Sequence, residues 1–204
     1  MTNLVLPIIL GYLIGSIPFG LLAGKLNGID IRKVGSGNIG ATNIYRTLGT
    51  WPALSVFLLD MLKGTAAVYI AQALLPQSTP LLSREYFIVI SGVAAMVGHM
   101  FSIFLGFNGG KGAATSLGIL LGITPDLFVI AIIYVIICIA ITRYVSVASI
   151  SGVILLAALM FILNKPPAYG VCTVIAAILM IYKHIPNIKR LLSGTEPKIW
   201  GAQK

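Results

Sequence analysis

Long apolar runs alternate with short polar segments along the whole chain. The apolar runs are Leu4–Ala23, Trp51–Leu75, Tyr86–Leu105, Ala113–Ile141, Val147–Leu163 and Ala168–Tyr182. About 20 apolar residues in a helix cross the roughly 30 Å of a bilayer's hydrocarbon core. The first run reaches that length without the basic leader of a signal peptide, so it predicts a retained helix. Pro76 and Pro80 mark the connection after the second run, Pro166 and Pro167 separate the last two, and Lys183–Lys204 forms a basic, polar tail. The run Ala113–Ile141 is interrupted by Thr124-Pro125-Asp126 and reads either as one kinked helix or as two short ones hinged at Pro125.

Charge decides between these. The chain has 14 Lys and Arg, of which Lys63 lies inside an apolar run. With two helices, eleven of the rest fall on one side of the membrane and only Arg84 and Lys165 on the other; with one helix they split six to seven. Basic residues concentrate on the cytoplasmic side. The prediction is therefore an all-α, polytopic membrane protein of about seven helices, a single domain over 1–204, with its amino terminus outside and its tail in the cytoplasm. The helix after Gly112, about eleven residues, is too short to cross alone and must tilt or pack among neighbours.

Composition agrees. The chain is 58% hydrophobic and 9% charged, with a mean hydropathy of +1.00, far from the soluble range. A net charge of +9 from residues scattered between apolar runs points to a membrane surface or a small acidic substrate, not to nucleic acid. Cys138 and Cys172 lie in apolar runs without metal-ligand spacing, and no metal or cofactor is predicted.

The polar segments carry the candidate chemistry, and the topology puts all of them on the cytoplasmic face. Gly35 to Arg46 reads Gly-Ser-Gly-Asn-Ile-Gly-Ala-Thr-Asn-Ile-Tyr-Arg. Its glycines let backbone N–H groups converge on an anion, Ser36, Gly37, Asn38, Thr42 and Asn43 supply donors, and Arg46 supplies a planar fork. In Gly106-Phe107-Asn108-Gly109-Gly110-Lys111-Gly112, the amides of Gly109, Gly110 and Gly112, the start of the next helix and Lys111 are expected to face one anion. Gly112 follows Lys111 where a Walker A loop has Ser or Thr, which argues against ATP hydrolysis. Ser146 and Ser149 in the turn from Arg143, and His184 and Asn187 at the tail, complete the candidate set. A neutral His184 can accept a hydroxyl proton, while His99 reads as a helix-end hydrogen-bonder. Asp60 and Lys63, at i, i+3, share a helix face and neutralise each other. Neither histidine has an aspartate five positions on, since Phe104 and Lys189 stand there, so the His-x4-Asp pair of acyl-CoA-dependent acyltransferases is absent. These groups suit two phosphates, or a phosphate and an oxyanion. A transporter for a phosphorylated solute is the competing class, favoured only by the Asp60–Lys63 pair.

The Gly35–Arg46 segment, the segment from Gly98 through Gly-Gly-Lys-Gly to Thr115, the tail from His-Ile-Pro-Asn at 184 to Glu196, Asp60-x-x-Lys63-Gly64 and the Arg143 turn together resemble the bacterial PlsY family of acyl-phosphate:glycerol-3-phosphate acyltransferases. The resemblance runs over essentially the whole chain; Ser102 replaces a usual proline and Asn108 a common lysine or arginine. It implies transfer of a fatty acyl group from acyl phosphate to the 1-hydroxyl of glycerol 3-phosphate, giving lysophosphatidic acid and phosphate, at the bacterial inner membrane, with membrane lipids as surroundings. It further implies essential roles for Ser36 and Arg46, glycerol 3-phosphate binding at Gly109–Gly112, participation of His184 and Asn187, and a structural role for Glu196. Direct attack by the substrate hydroxyl is expected rather than an acyl-enzyme on Ser36, because no base neighbours Ser36 in sequence. Oligomeric state is left open, and a monomer is compatible with the reading.

Overall fold

In the computed structural model, residues 4–77, 79 and 82–200 are described; Pro80 and the last four residues of the tail lie outside them. The described residues are helical, without strands. They form α1 (Leu6–Ser16), α2 (Phe19–Leu26), α3 (Ala41–Leu48), α4 (Thr50–Leu74), α5 (Arg84–Met100), α6 (Ala113–Ile123), α7 (Pro125–Thr142), α8 (Val145–Ile162) and α9 (Pro167–Leu192). Among the described residues six stretches are long and apolar enough to cross a membrane: Leu6–Leu26, Thr50–Leu74, Arg84–Leu105, Pro125–Thr142, Val145–Ile162 and Pro167–Leu192. At 11 residues, or roughly 16 Å, α6 falls short of that length. The chain divides into two compact units, Met1–Ile123 and Thr124–Lys204.

In the first unit α4 is the hub, packed against α1, α2, α3, α5 and α6. The α4–α6 crossing needs side chains that are absent. A Cβ added at Gly64 would lie 2.3 Å from the Thr115 carbonyl oxygen, and one at Gly118 only 1.8 Å from that of Met61. Without Cβ atoms the backbones touch, and Thr65 Oγ1 donates to the Gly118 carbonyl at 2.8 Å across the seam. This contact secures the short helix that carries the second polar segment at its head.

Three expectations on helix extent change. The first run is broken at Ile17-Pro18 into α1 and α2, because proline lacks an N–H and drives the preceding residue to extended geometry; Ile17 has φ −58° and ψ 119°. The break exposes carbonyls that other elements use: Ser102 Oγ donates to Ser16 O at 2.6 Å, and Lys63 Nζ to Ile17 O at 3.2 Å. Half of the Gly35–Arg46 segment is helix rather than loop, since α3 starts at Ala41. In the second unit α9 continues ten residues past Tyr182, through Pro186 to Leu192, so His184 and Asn187 belong to the last apolar helix and not to a separate polar tail. The two-helix reading of Ala113–Ile141 holds: α6 ends at Ile123 and α7 opens with Pro125 in its first turn. In this unit α8 packs against both α7 and α9.

Candidate active site

The cradle rests on a small apolar core. Ile31, Ile39 and Ile44 are buried with Leu21, Ala53 and Val56, and Leu105 packs against them. That contact seats the start of the second polar segment beside the first. Asn43 organises the loop from within: its Nδ2 donates to Val34 O at 3.0 Å and Ile31 O at 3.3 Å, and its Oδ1 accepts from the Ser36 N–H at 2.9 Å. Both amide hydrogens serve the loop itself, so this buried residue acts as its staple. Gly35 and Gly37 take positive φ, 61° and 70°, allowing the turn around the staple. Asn38 Oδ1 accepts from the Gly40 N–H at 2.8 Å, fixing the entry to α3. What this scaffold presents is an exposed Ser36 and half-buried Thr42 and Arg46, the last two at i, i+4 on one face of α3. Upstream, Arg32 pairs with Asp30 at 2.7 Å and holds the Asp30 carboxyl down at about 2.

The second segment is bolted to the end of α5. The Gly110 N–H donates to His99 O at 2.9 Å and the Gly109 N–H to Met100 O at 3.1 Å. Those two amides cap α5, and the expectation that they face an anion is revised on that ground. Glycine is required there because a Cβ at Gly109 would lie 2.0 Å from His99 O, and one at Gly110 2.1 Å from His99 Nε2. Beyond them come half-buried Lys111 and the head of α6, where the first N–H groups of a helix have no partner within it.

Beneath the segment lies a buried polar cluster. Lys63 Nζ is 2.8 Å from Asp60 Oδ1 and 2.8 Å from His99 Nδ1, with His99 Nδ1 3.5 Å from the same carboxylate oxygen. The ammonium also reaches Ile17 O and sits 5.7 Å from the centre of the Phe19 ring.

In the second unit a carboxylate gathers the third motif. Glu196 Oε1 accepts from Ser146 Oγ at 2.8 Å and Asn187 Nδ2 at 2.7 Å, and Oε2 from Arg190 Nε at 2.8 Å. Burial works against its charge, but the hydrogen bonds from Asn187, Ser146 and Arg190 and the charge of Arg190 prevail and hold it below the usual glutamate range. The Ile199 N–H donates to Arg143 O at 2.8 Å, tying the tail to the turn before α8. His184 is buried, with Nδ1 2.8 Å from Met180 O. A carbonyl only accepts, so Nδ1 carries a proton and donates it within the helix. Ser149 Oγ donates within its own helix, to Val145 O at 2.9 Å.

A family model described as glycerol-3-phosphate acyltransferase matches residues 5–194. The chain belongs to the glycerol-3-phosphate acyltransferase family. A glycerol-3-phosphate acyltransferase of Rippkaea orientalis is 46% identical over 197 residues, 94% of this chain and 91% of that one. Another, from Halalkalibacterium halodurans, is 45% identical over 193 residues, 92% of this chain and 91% of its own. Among solved structures, the glycerol 3-phosphate form of PlsY, an integral membrane glycerol 3-phosphate acyltransferase, superposes with a TM-score of 0.90 at 37% identity, covering 98% of this chain and 96% of that one. Its lysophosphatidic acid form gives a TM-score of 0.87 at 36% identity, covering 96% and 95%.

In this acyltransferase the predicted residues therefore sort by unit. Ser36, Thr42, Arg46 and the Gly109–Gly112 segment lie in the first, on elements joined through Leu105 and α4. Ser146, Ser149, His184, Asn187 and Glu196 lie in the second. The Asp60–Lys63 pair forms as expected. Sequence reasoning missed that His99, 36 positions from Lys63, joins that pair and underlies Gly110. The available signal was two glycines where a helix ends in histidine and methionine.

Proposed function

We propose that the chain transfers a fatty acyl group from an acyl phosphate directly to the 1-hydroxyl of glycerol 3-phosphate. The hydroxyl oxygen attacks the acyl carbonyl, the carbonyl–phosphate bond breaks, and phosphate leaves with the hydroxyl proton. The products are lysophosphatidic acid and inorganic phosphate. Acylation of glycerol 3-phosphate is the activity for which the family is named, and the chain is an integral-membrane acyltransferase.

The observation that carries direct transfer is the setting of Ser36. Ser36 is exposed, and among the described residues of the first unit no histidine or carboxylate hydrogen-bonds to its hydroxyl; Asn43 Oδ1 accepts from its backbone N–H. A serine nucleophile needs an adjacent base, whereas an acyl phosphate is already activated and its phosphate can take the proton. Ser36 is accordingly read as a donor, Arg46 as a bidentate phosphate ligand, and Lys111 with Gly112 and the head of α6 as anion ligands. Gly37, Asn38, Asn43, Gly109 and Gly110 set the geometry of those groups. In the second unit Glu196 fixes the positions of Asn187 and Ser146 around the third motif, which also carries His184.

The strong bias of Lys and Arg to one side supports a bacterial inner-membrane enzyme whose site faces the cytoplasm, with the amino terminus outside. A single chain is read as sufficient. Purified protein in detergent, supplied with glycerol 3-phosphate and either acyl phosphate or acyl-CoA, is expected to form lysophosphatidic acid with the first donor alone. Equal product from acyl-CoA would overturn the assignment of donor.

A further inference from the structure

We propose that the buried Asp60–Lys63–His99 cluster is a positioning device for the glycerol 3-phosphate site, acting through the His99 ring on the Gly109–Lys111 segment. This rests on the reading of Lys111, Gly112 and the head of α6 as substrate ligands.

Three helices meet at the cluster. Asp60 and Lys63 come from α4, His99 is the penultimate residue of α5, and Ile17 is the residue at which α1 breaks. A lysine ammonium has three hydrogens, and Lys63 Nζ has three acceptors: Asp60 Oδ1 at 2.8 Å, His99 Nδ1 at 2.8 Å and Ile17 O at 3.2 Å. Accepting at Nδ1 fixes the plane of the imidazole. The opposite edge of that ring lies under Gly110, where even a methyl group would be 2.1 Å from Nε2. The His99 carbonyl also receives the Gly110 N–H. One residue thus holds the loop by its backbone and supports it by its ring, and the ion pair holds the residue.

A buried ion pair is a poor source of stability, since apolar residues of similar volume often serve as well or better. With Asp60 and Lys63 each under 4% exposed as side chains, holding the helices together does not by itself call for charges. Orienting a ring does, because hydrogen bonds are directional and apolar contacts are not. The loop so placed delivers Lys111 and the start of α6, where a displacement of about 1 Å is enough to cost roughly a hundredfold in rate.

The test is the double replacement of Asp60 by Leu and Lys63 by Met, which removes both charges without leaving one unpaired. The protein is studied whole, in detergent. A device that only stabilises predicts a changed melting temperature with an unchanged Michaelis constant for glycerol 3-phosphate. The proposal predicts a melting temperature held or raised, that constant raised by about tenfold or more, an unchanged constant for acyl phosphate, and faster amide exchange in the peptide holding Gly109 and Gly110. Wild-type constants and exchange in a folded double variant would overturn it. If the double variant does not fold, His99→Asn decides. It retains an acceptor near the Nδ1 position and removes the ring edge beneath Gly110, so the same rise and the same faster exchange are expected, and their absence refutes the proposal. Failure of the functional reading shows separately, as wild-type protein that makes no lysophosphatidic acid while the exchange comparison still reports on the loop.

Discussion

Arg46 illustrates what the reaction asks of a residue. It shares a face of α3 with Thr42, and the helix beneath it is anchored by buried Ile44 and stapled by Asn43. A guanidinium offers two parallel donors to a phosphate, and an ammonium is a point charge. Arg46→Lys is therefore expected to lower kcat/KM by about a hundredfold, roughly 2.7 kcal/mol of transition-state stabilisation, and near-normal turnover would exclude the fork. Lys111→Ala should act differently, raising the Michaelis constant for glycerol 3-phosphate more than it lowers kcat. Glu196 makes a prediction in pH. Its carboxyl is held below the ordinary glutamate value of 4.5, so its stabilising effect is fully present above that value and disappears as pH falls through the lower, folded one. The melting temperature of wild type should drop over that acid range, and Glu196→Gln, lower at neutral pH, should show a smaller drop. The residue types were legible in the sequence, but their division of labour was not. Asn43 and Asn38 read as ligand donors because side-chain amides suit anions, yet both Nδ2 hydrogens of Asn43 serve the loop it belongs to, and Asn38 is tied to that loop through its Oδ1, facts set by where the backbone turns.

At the scale of elements, the short helix α6 matters most, because its head carries Lys111 and Gly112 while its length leaves it dependent on neighbours. Its seam with α4 has no room for a side chain at Gly118. Gly118→Val should force the backbones apart, at a cost of about 1–3 kcal/mol or more, seen as a lower melting temperature together with weaker glycerol 3-phosphate affinity. A variant as stable and active as wild type would show that the crossing is not what places α6. The division at Pro125 was readable from charge, since only two helices put the basic residues largely on one side. The break at Pro18 was overlooked because the apolar run continues through it, and hydropathy does not register the lost hydrogen bond. The extension of α9 was overlooked for the opposite reason: basic, polar residues and Pro186 resemble the end of a helix, whereas the Glu196 clasp draws Asn187 and Arg190 into ordered structure.

For the molecule as a whole, the distribution of basic residues makes a topological prediction. A cysteine replacing Lys165 should react with a membrane-impermeant thiol reagent applied to intact cells, and one replacing Lys33 should not; the reverse would invert the proposed orientation. Membrane placement, helical class and reaction were all legible, because hydropathy reports the solvent and three motifs in order report the family. The buried Asp60–Lys63–His99 cluster was legible only as a pair, since its third member comes from another helix. In the proposed reaction acyl phosphate gives its acyl group to glycerol 3-phosphate without a covalent stop on the protein. The most direct measurement is to mix purified enzyme with acyl phosphate labelled in the acyl chain, with and without glycerol 3-phosphate, denature, and count label in lipid and in protein. Direct transfer predicts labelled lysophosphatidic acid when both substrates are present and no label on the protein in either case. Label retained on denatured protein, and lost when Ser36 is replaced by alanine, would contradict it.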